Sequence, residues 1–404
     1  MLRTIGLTAF LSVLSVSATS AQPPPQSPQP SQNLKPLRPP NVPNARGTDS
    51  GPGPACDMLT AYGEVQPHGP PALPYGRGSP TPGPVPPMPV YGSPQPAPPN
   101  SNLGASGADL RNIVIPDAPK LNYRFVEPPQ PPRGTARFAN VTSVALRENG
   151  RLLAFQRLPM FQLMEYSDDG RLLRTISSNI AARPHGLRID KSDNIWITDL
   201  QCNVVKKLNA NGEVLMTIGT SGKAGNWDEA KGERVFNQPT DVAFAANGDI
   251  FVTTGHGVPN PRVVRFDKNG KFITSWGVVH ADGSIPLLHT VVISPKNEVY
   301  VGDREAKIIR VFDIDGKPLR EIQMTNLVCA LFVDANNGLW MSTGQDGIIM
   351  RLDWNGKILG WIGQVGYGEN DFGEAHFMTV SRDERLIYVG DNVNNDIKKL
   401  ERVN

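Results

Sequence analysis

The stretch RPHGLRIDKSDNIWITDLQCNVVKKLNANGEVLMTIG, Arg183 to Gly219, decides how the chain is read. After Pro184, His185 and Gly186 it places apolar residues at Leu187 and Ile189, turns at Ser192, Asp193 and Asn194, and resumes in a second run at residues 195–198. Asp199 and a polar loop lead to a third run, residues 204–208, and Asn211 and Gly212 turn the chain into a fourth, residues 214–218. Alternation with period two, punctuated by Asp, Asn and Gly, marks half-buried antiparallel strands. Four such strands make one blade, and a four-stranded unit that recurs predicts a β-propeller.

Aligned on this template, the chain holds six copies. Their inner strands begin near Thr142, His185, Thr240, His289, Cys329 and His376, with second strands at residues 152–155, 195–198, 250–253, 299–302, 339–342 and 387–390. The expected fold is therefore all-β, a six-bladed propeller. The last copy ends after its third strand, residues 396–401, and lacks an outer one. Residues 121–126, in which Leu121, Tyr123 and Phe125 alternate, are expected to supply it and to cover an otherwise open edge.

Composition changes sharply along the chain: of the 39 prolines, 31 precede Gly134. Residues 22–120, rich in Pro, Gly, Ser and Gln, carry too few large apolar side chains to offset the entropy of ordering. They are expected to form a disordered, partly polyproline II linker ahead of a propeller at 121–404, reaching toward a cell-envelope component. Residues 1–21 combine Arg3, an apolar run at residues 5–16 and small residues before Gln22, the pattern of a cleaved secretory signal. That run is shorter than the roughly 20 residues a spanning helix needs, so a secreted or periplasmic protein without stable membrane insertion is expected. A net charge of +2 lacks the basic excess of a nucleic-acid-binding domain. Cys56, Cys202 and Cys329, odd in number and widely spaced, predict no disulfide framework.

The register then places the histidines. His185, His289 and His376 occupy one repeat position in blades two, four and six, each two residues before the first inward apolar residue, Leu187, Val291 and Met378. Alternate blades stand about 120° apart, so three imidazoles at one level converge on the axis. A single histidine there is more often a hydrogen-bonded channel residue; three in register make a facial metal site, zinc first and other divalent transition metals next. Cys329, at the equivalent position of blade five, reads as a small buried apolar residue. Asp199, Asp303 and Asp391 recur at strand ends as turn caps.

The run from Arg183 to Leu208, with Trp196, Thr198 and Asp199, resembles the lyase domain of the peptidylglycine α-amidating enzymes, which are NHL-type six-bladed propellers. Residues 236–242, 262–266, 270–272 and 275–277 in blade three, and 301–305 in blade four, follow the same pattern. The resemblance implies that His185, His289 and His376 hold a catalytic zinc, and that Arg304 and Arg157 surround a peptide ending in α-hydroxyglycine. Two positions depart from it. His256, after Gly255, stands where the family has a tyrosine and is the candidate for its proton-transfer role. Phe377 stands where the family has a calcium-binding aspartate, which puts a structural calcium in doubt.

The chemistry implied is cleavage of a peptidyl-α-hydroxyglycine, or a related α-hydroxy amide, to an amide and glyoxylate. Arg304 and Arg157 would clamp the carboxylate or the developing oxyanion, and His256 would move a proton. Two other classes stay open: a non-catalytic propeller that binds a peptide or envelope component through loops such as residues 221–235, and a lactonase-like hydrolase. The latter resembles this fold but carries carboxylate and asparagine calcium ligands in the channel, where this chain has histidine, threonine and cysteine.

Overall fold

Residues 113–157 and 162–403, together with Cys56, are described by the structure, a computed structural model. The expected signal at 1–21 and most of the Pro-rich linker lie outside the described residues. The described residues hold 24 strands in six four-stranded antiparallel sheets. Blade one is β2 to β5 (Val141–Leu146, Leu152–Gln156, Leu163–Tyr166, Leu172–Ser177), and blade two is β6 to β9 (Pro184–Ile189, Ile195–Asp199, Val204–Leu208, Val214–Ile218). Blade three is β10 to β13 (Pro239–Phe244, Ile250–Thr254, Arg262–Phe266, Phe272–Gly277), and blade four is β14 to β17 (Leu288–Ile293, Val299–Asp303, Ile308–Phe312, Pro318–Gln323). Blade five is β18 to β21 (Ala330–Val333, Leu339–Ser342, Ile349–Leu352, Ile358–Ile362). Blade six takes β22 to β24 (Ala375–Val380, Leu386–Asp391, Asp396–Arg402) from the end of the chain and β1 (Tyr123–Val126) from before blade one.

That last pairing closes the ring as expected, with Tyr123 opposite Arg402 and Val126 opposite Lys399. Six apolar clusters fill the six seams between neighbouring blades. The alternation read from the sequence explains them, because successive strand residues point to opposite faces of a sheet. In β7, Trp196 packs into the seam with blade three beside Val252 and Phe266, while Ile195 and Ile197 pack into the seam with blade one beside Phe155.

The inner strands are irregular at their starts, and this positions the site. Pairing of inner with second strand skips Thr142, Thr240 and Thr290's predecessor His289, and skips two residues, His185–Gly186 and His376–Phe377, in blades two and six. Such bulges release a residue from the ladder and re-aim its side chain or carbonyl.

One feature corrects the sequence reading. Cys56 and Cys202 form a disulfide, with Cα atoms 5.6 Å apart across 146 residues of chain. The odd count concealed it because one partner lies in the Pro-rich linker and the other in a blade-two loop. Ordered contacts with the propeller also begin before Leu121. Ile113 and Ala118 pack against the seam of blades four and five, and the Trp361 indole donates to the Ala118 carbonyl at 2.9 Å.

Candidate metal centre

His185, His289 and His376 are almost fully buried, each released from its inner strand by a bulge. Each Nδ1 faces a backbone carbonyl on the next blade: His185 that of Thr240 at 2.8 Å, His289 that of Cys329 at 2.6 Å, His376 that of Thr142 at 2.6 Å. A carbonyl only accepts, so each Nδ1 carries the proton and donates. The acceptors are the histidine-equivalent residues of the odd blades. The even blades thus supply imidazoles and the odd blades the carbonyls that orient them, the outer-shell arrangement usual for metal-bound histidine.

With the Nδ1 protons committed, the Nε2 atoms turn inward bearing lone pairs. Those of His185 and His289 are 3.1 Å apart, and the donor atoms of all three rings lie within 4.8 Å of one another. Burial holds all three pKa values down, with neighbouring histidine charge adding to the effect for His185 and His289; His376 is lowered to about 4. Neutral rings in this tautomer cannot hydrogen-bond to one another through Nε2. A cation among them removes the repulsion of facing lone pairs, and an all-imidazole donor set suits zinc or a similar transition metal.

The turn-capping aspartates set the approach to each histidine. Asp199 accepts the N–H groups of Ala182 and Arg183 at 2.7 and 3.0 Å, Asp303 that of Leu287 at 3.1 Å, and Asp391 those of Gly373 and Glu374 at 2.9 and 3.0 Å. In each even blade, the carboxylate at the end of the second strand clasps the backbone two or three residues before the histidine.

The other expected residues gather here to different degrees. His256 follows Gly255, whose φ of +103° and close approach to Pro261 admit no side chain without strain. This turn brings the His256 ring to 5.1 and 5.3 Å, centroid to centroid, from His185 and His289. Its pKa lies well below the ordinary histidine value, chiefly through burial and then through Arg304. Arg304 Nη1 is 3.5 Å from His289 Nε2, while its Nε and Nη2 bind Glu305 at 2.9 and 2.7 Å. Arg157 is half-buried with its Nε 3.4 Å from the Pro184 carbonyl; burial, then Arg183, lower its pKa to about 10, and Glu374 opposes them. Cys329 is fully buried, and burial pushes its thiol pKa up.

Phe377 is buried beside all three histidines, its ring centroid 5.1 to 5.9 Å from theirs, and the Arg188 guanidinium lies 5.1 Å from its centre. A phenyl ring, not a carboxylate, occupies this position. Glu374 was not singled out from the sequence. It is buried two residues before His376, and its only sequence signal is an acid next to a ligand position. Cys329, Glu374 and His376 form a second group with donor atoms within 4.8 Å. It shares His376, whose Nδ1 is already committed, so the two groups cannot each hold an ion at once.

No protein-family model matches the chain. In sequence it is 32% identical over 250 residues to a peptidyl-glycine α-amidating monooxygenase of Mus musculus, a match covering 56% of this chain and 24% of the mouse protein. It is 26% identical over 185 residues to peptidyl-α-hydroxyglycine α-amidating lyase 1 of Drosophila melanogaster, covering 39% of this chain and 33% of that one. This propeller resembles the peptidyl-α-hydroxyglycine α-amidating lyases. The chain thus spans about a quarter to a third of the length of these two relatives. A gluconolactonase structure from Xanthomonas campestris superposes with a TM-score of 0.50 at 18% identity, over 71% of this chain and 99% of that one, a likeness of fold. Of the two positions expected to depart from the amidating-lyase pattern, His256 lies beside His185 and His289, and Phe377 beside all three histidines.

Proposed function

We propose that this chain is an exported, metal-dependent lyase that cleaves a peptidyl-α-hydroxyglycine, or a related α-hydroxy amide, into an amide and glyoxylate. The observation that carries the reading is the pair of unprotonated Nε2 atoms of His185 and His289, 3.1 Å apart and backed by carbonyl-bound Nδ1 atoms. His185, His289 and His376 would hold zinc, which supplies Lewis acidity toward a substrate oxygen.

The chain's own residues account for the remaining steps. Arg304 and Arg157 bind the substrate carboxylate through charge-assisted hydrogen bonds. His256, neutral at pH 7 because its pKa is depressed, has a lone pair for the substrate's hydroxyl proton. As the O–H electrons become the new carbonyl bond, the carbon–nitrogen bond breaks and its electrons leave with nitrogen. Return of the proton to that nitrogen completes the amide, and glyoxylate is released.

Export is supported by the signal pattern at 1–21 and by the Cys56–Cys202 disulfide, since disulfides persist in oxidising compartments. Among the described residues no helix is long and apolar enough to cross a membrane. The Pro-rich linker is proposed to reach a cell-envelope component.

The test is glyoxylate release from a short peptidyl-α-hydroxyglycine by the zinc-loaded chain. His256→Ala should lower kcat by roughly 10² to 10⁴, and Arg304→Ala should lower kcat/KM. Glyoxylate from His256→Tyr but not from the parent would overturn the role given to His256. Silence from both would overturn the lyase reading in favour of a binding scaffold.

A further inference from the structure

Glu374 is 6% exposed, and no step above uses it. From one side Asn392 Nδ2 donates to its Oε2 at 2.9 Å, and Asp391 clasps its backbone N–H at 3.0 Å. On the other side its Oε1 is 3.8 Å from Arg304 Nη1, the same nitrogen that lies 3.5 Å from His289 Nε2. One buried carboxylate therefore lies near the guanidinium and, within 4.8 Å of a His376 ring nitrogen, near the histidine cluster as well.

The charges around the cluster make that placement consequential. A divalent ion among three neutral imidazoles meets the positive charge of both Arg304 and Arg157. Glu305 also binds Arg304, but its side chain is 56% exposed and water screens it; that of Glu374 is 7% exposed and acts through a low-dielectric interior. Being exposed, Glu305 can yield its two guanidinium contacts to an incoming carboxylate. The charge of Glu374 also opposes the depression of the Arg157 pKa.

We infer that Glu374 is a positioning residue for the metal centre: its carboxylate holds the Arg304 guanidinium beside His289 and supplies the negative charge that lets a divalent cation sit among the three histidines. The inference rests on the metal-dependent reading proposed above, and its test reads affinity instead of turnover. Zn²⁺ affinity of the full chain is measured by competition with a chromophoric chelator for the parent, Glu374→Gln, Glu374→Asp, Arg304→Gln and the Glu374→Gln/Arg304→Gln pair.

Glu374→Gln should weaken Zn²⁺ binding by about 10- to 100-fold, the usual cost of removing an outer-shell partner. Glu374→Asp, which keeps the charge, should recover part of the loss. In the Arg304→Gln background the cost of Glu374→Gln should shrink to less than about threefold, because the charge it offsets is gone. Parent-like affinity in Glu374→Gln, or equal losses in both backgrounds, would overturn this inference alone. A parent chain that binds no Zn²⁺ would overturn the metal-dependent reading and this inference with it.

Discussion

His376 donates its Nδ1 proton to the carbonyl of Thr142 at 2.6 Å, joining blade six to blade one across the seam where the ring closes. Blade six, which carries His376, is completed by β1, whose Phe125 packs on Phe372 in the seam with blade five, ring centroids 5.4 Å apart. Phe125→Ala should therefore cost about 2 kcal/mol of stability, read from denaturant unfolding. It should also weaken metal binding more than a cavity of equal size in the seam between blades three and four. Equal effects at the two seams would separate ring closure from the histidine site.

The orienting carbonyls can be tested without touching a histidine. A Cβ at Gly186 would lie 2.8 Å from the Thr240 carbonyl oxygen that accepts from His185. Gly186→Ala should displace that carbonyl, cost about 1–3 kcal/mol by overpacking and lower metal affinity by about 10-fold or more. Isothermal titration with Zn²⁺ checks this, and unchanged affinity would show that the Nδ1 contact does not set the ring.

The depressed pKa of His376 fixes a pH dependence. The folded state keeps this ring neutral to about pH 4, whereas an unfolded histidine binds a proton near pH 6.5. Below 6.5 the unfolded chain then binds more protons, so the contribution is fully present above about 6.5 and is lost as pH falls toward 4. Between pH 7 and 4 the metal-free parent should lose on the order of 3 kcal/mol more stability than metal-free His376→Gln. Parallel pH profiles for the two proteins would mean that His376 is not held neutral.

Much of this site was legible because a propeller repeats. Once Arg183 to Gly219 set the register, His185, His289 and His376 fell on one level, and the missing outer strand of blade six led to Tyr123–Val126. Other features were hidden because they depend on contacts no repeat encodes. Cys56 meets Cys202 from 146 residues away, Glu374 gains importance only through Arg304, and Phe377 reaches the three histidines because a two-residue bulge turns it inward.

The disulfide gives a prediction independent of the metal. Closing so long a loop should stabilise the fold by about 2–5 kcal/mol. Cys56→Ser should lower the Tm and remove its sensitivity to reductant, while leaving one metal ion per chain. A parent Tm unaffected by reductant would argue against the pairing.

The most direct test of the central claim is metal content. The purified full chain, loaded with Zn²⁺, dialysed and assayed by plasma mass spectrometry, should retain about one ion, with metal–nitrogen distances near 2.0–2.1 Å by X-ray absorption. His289→Ala should lose the ion while keeping the parent's far-ultraviolet circular dichroism, since the seams and not the channel hold the ring together. A parent chain without stoichiometric metal, or His289→Ala retaining as much as the parent, would contradict the three-histidine centre.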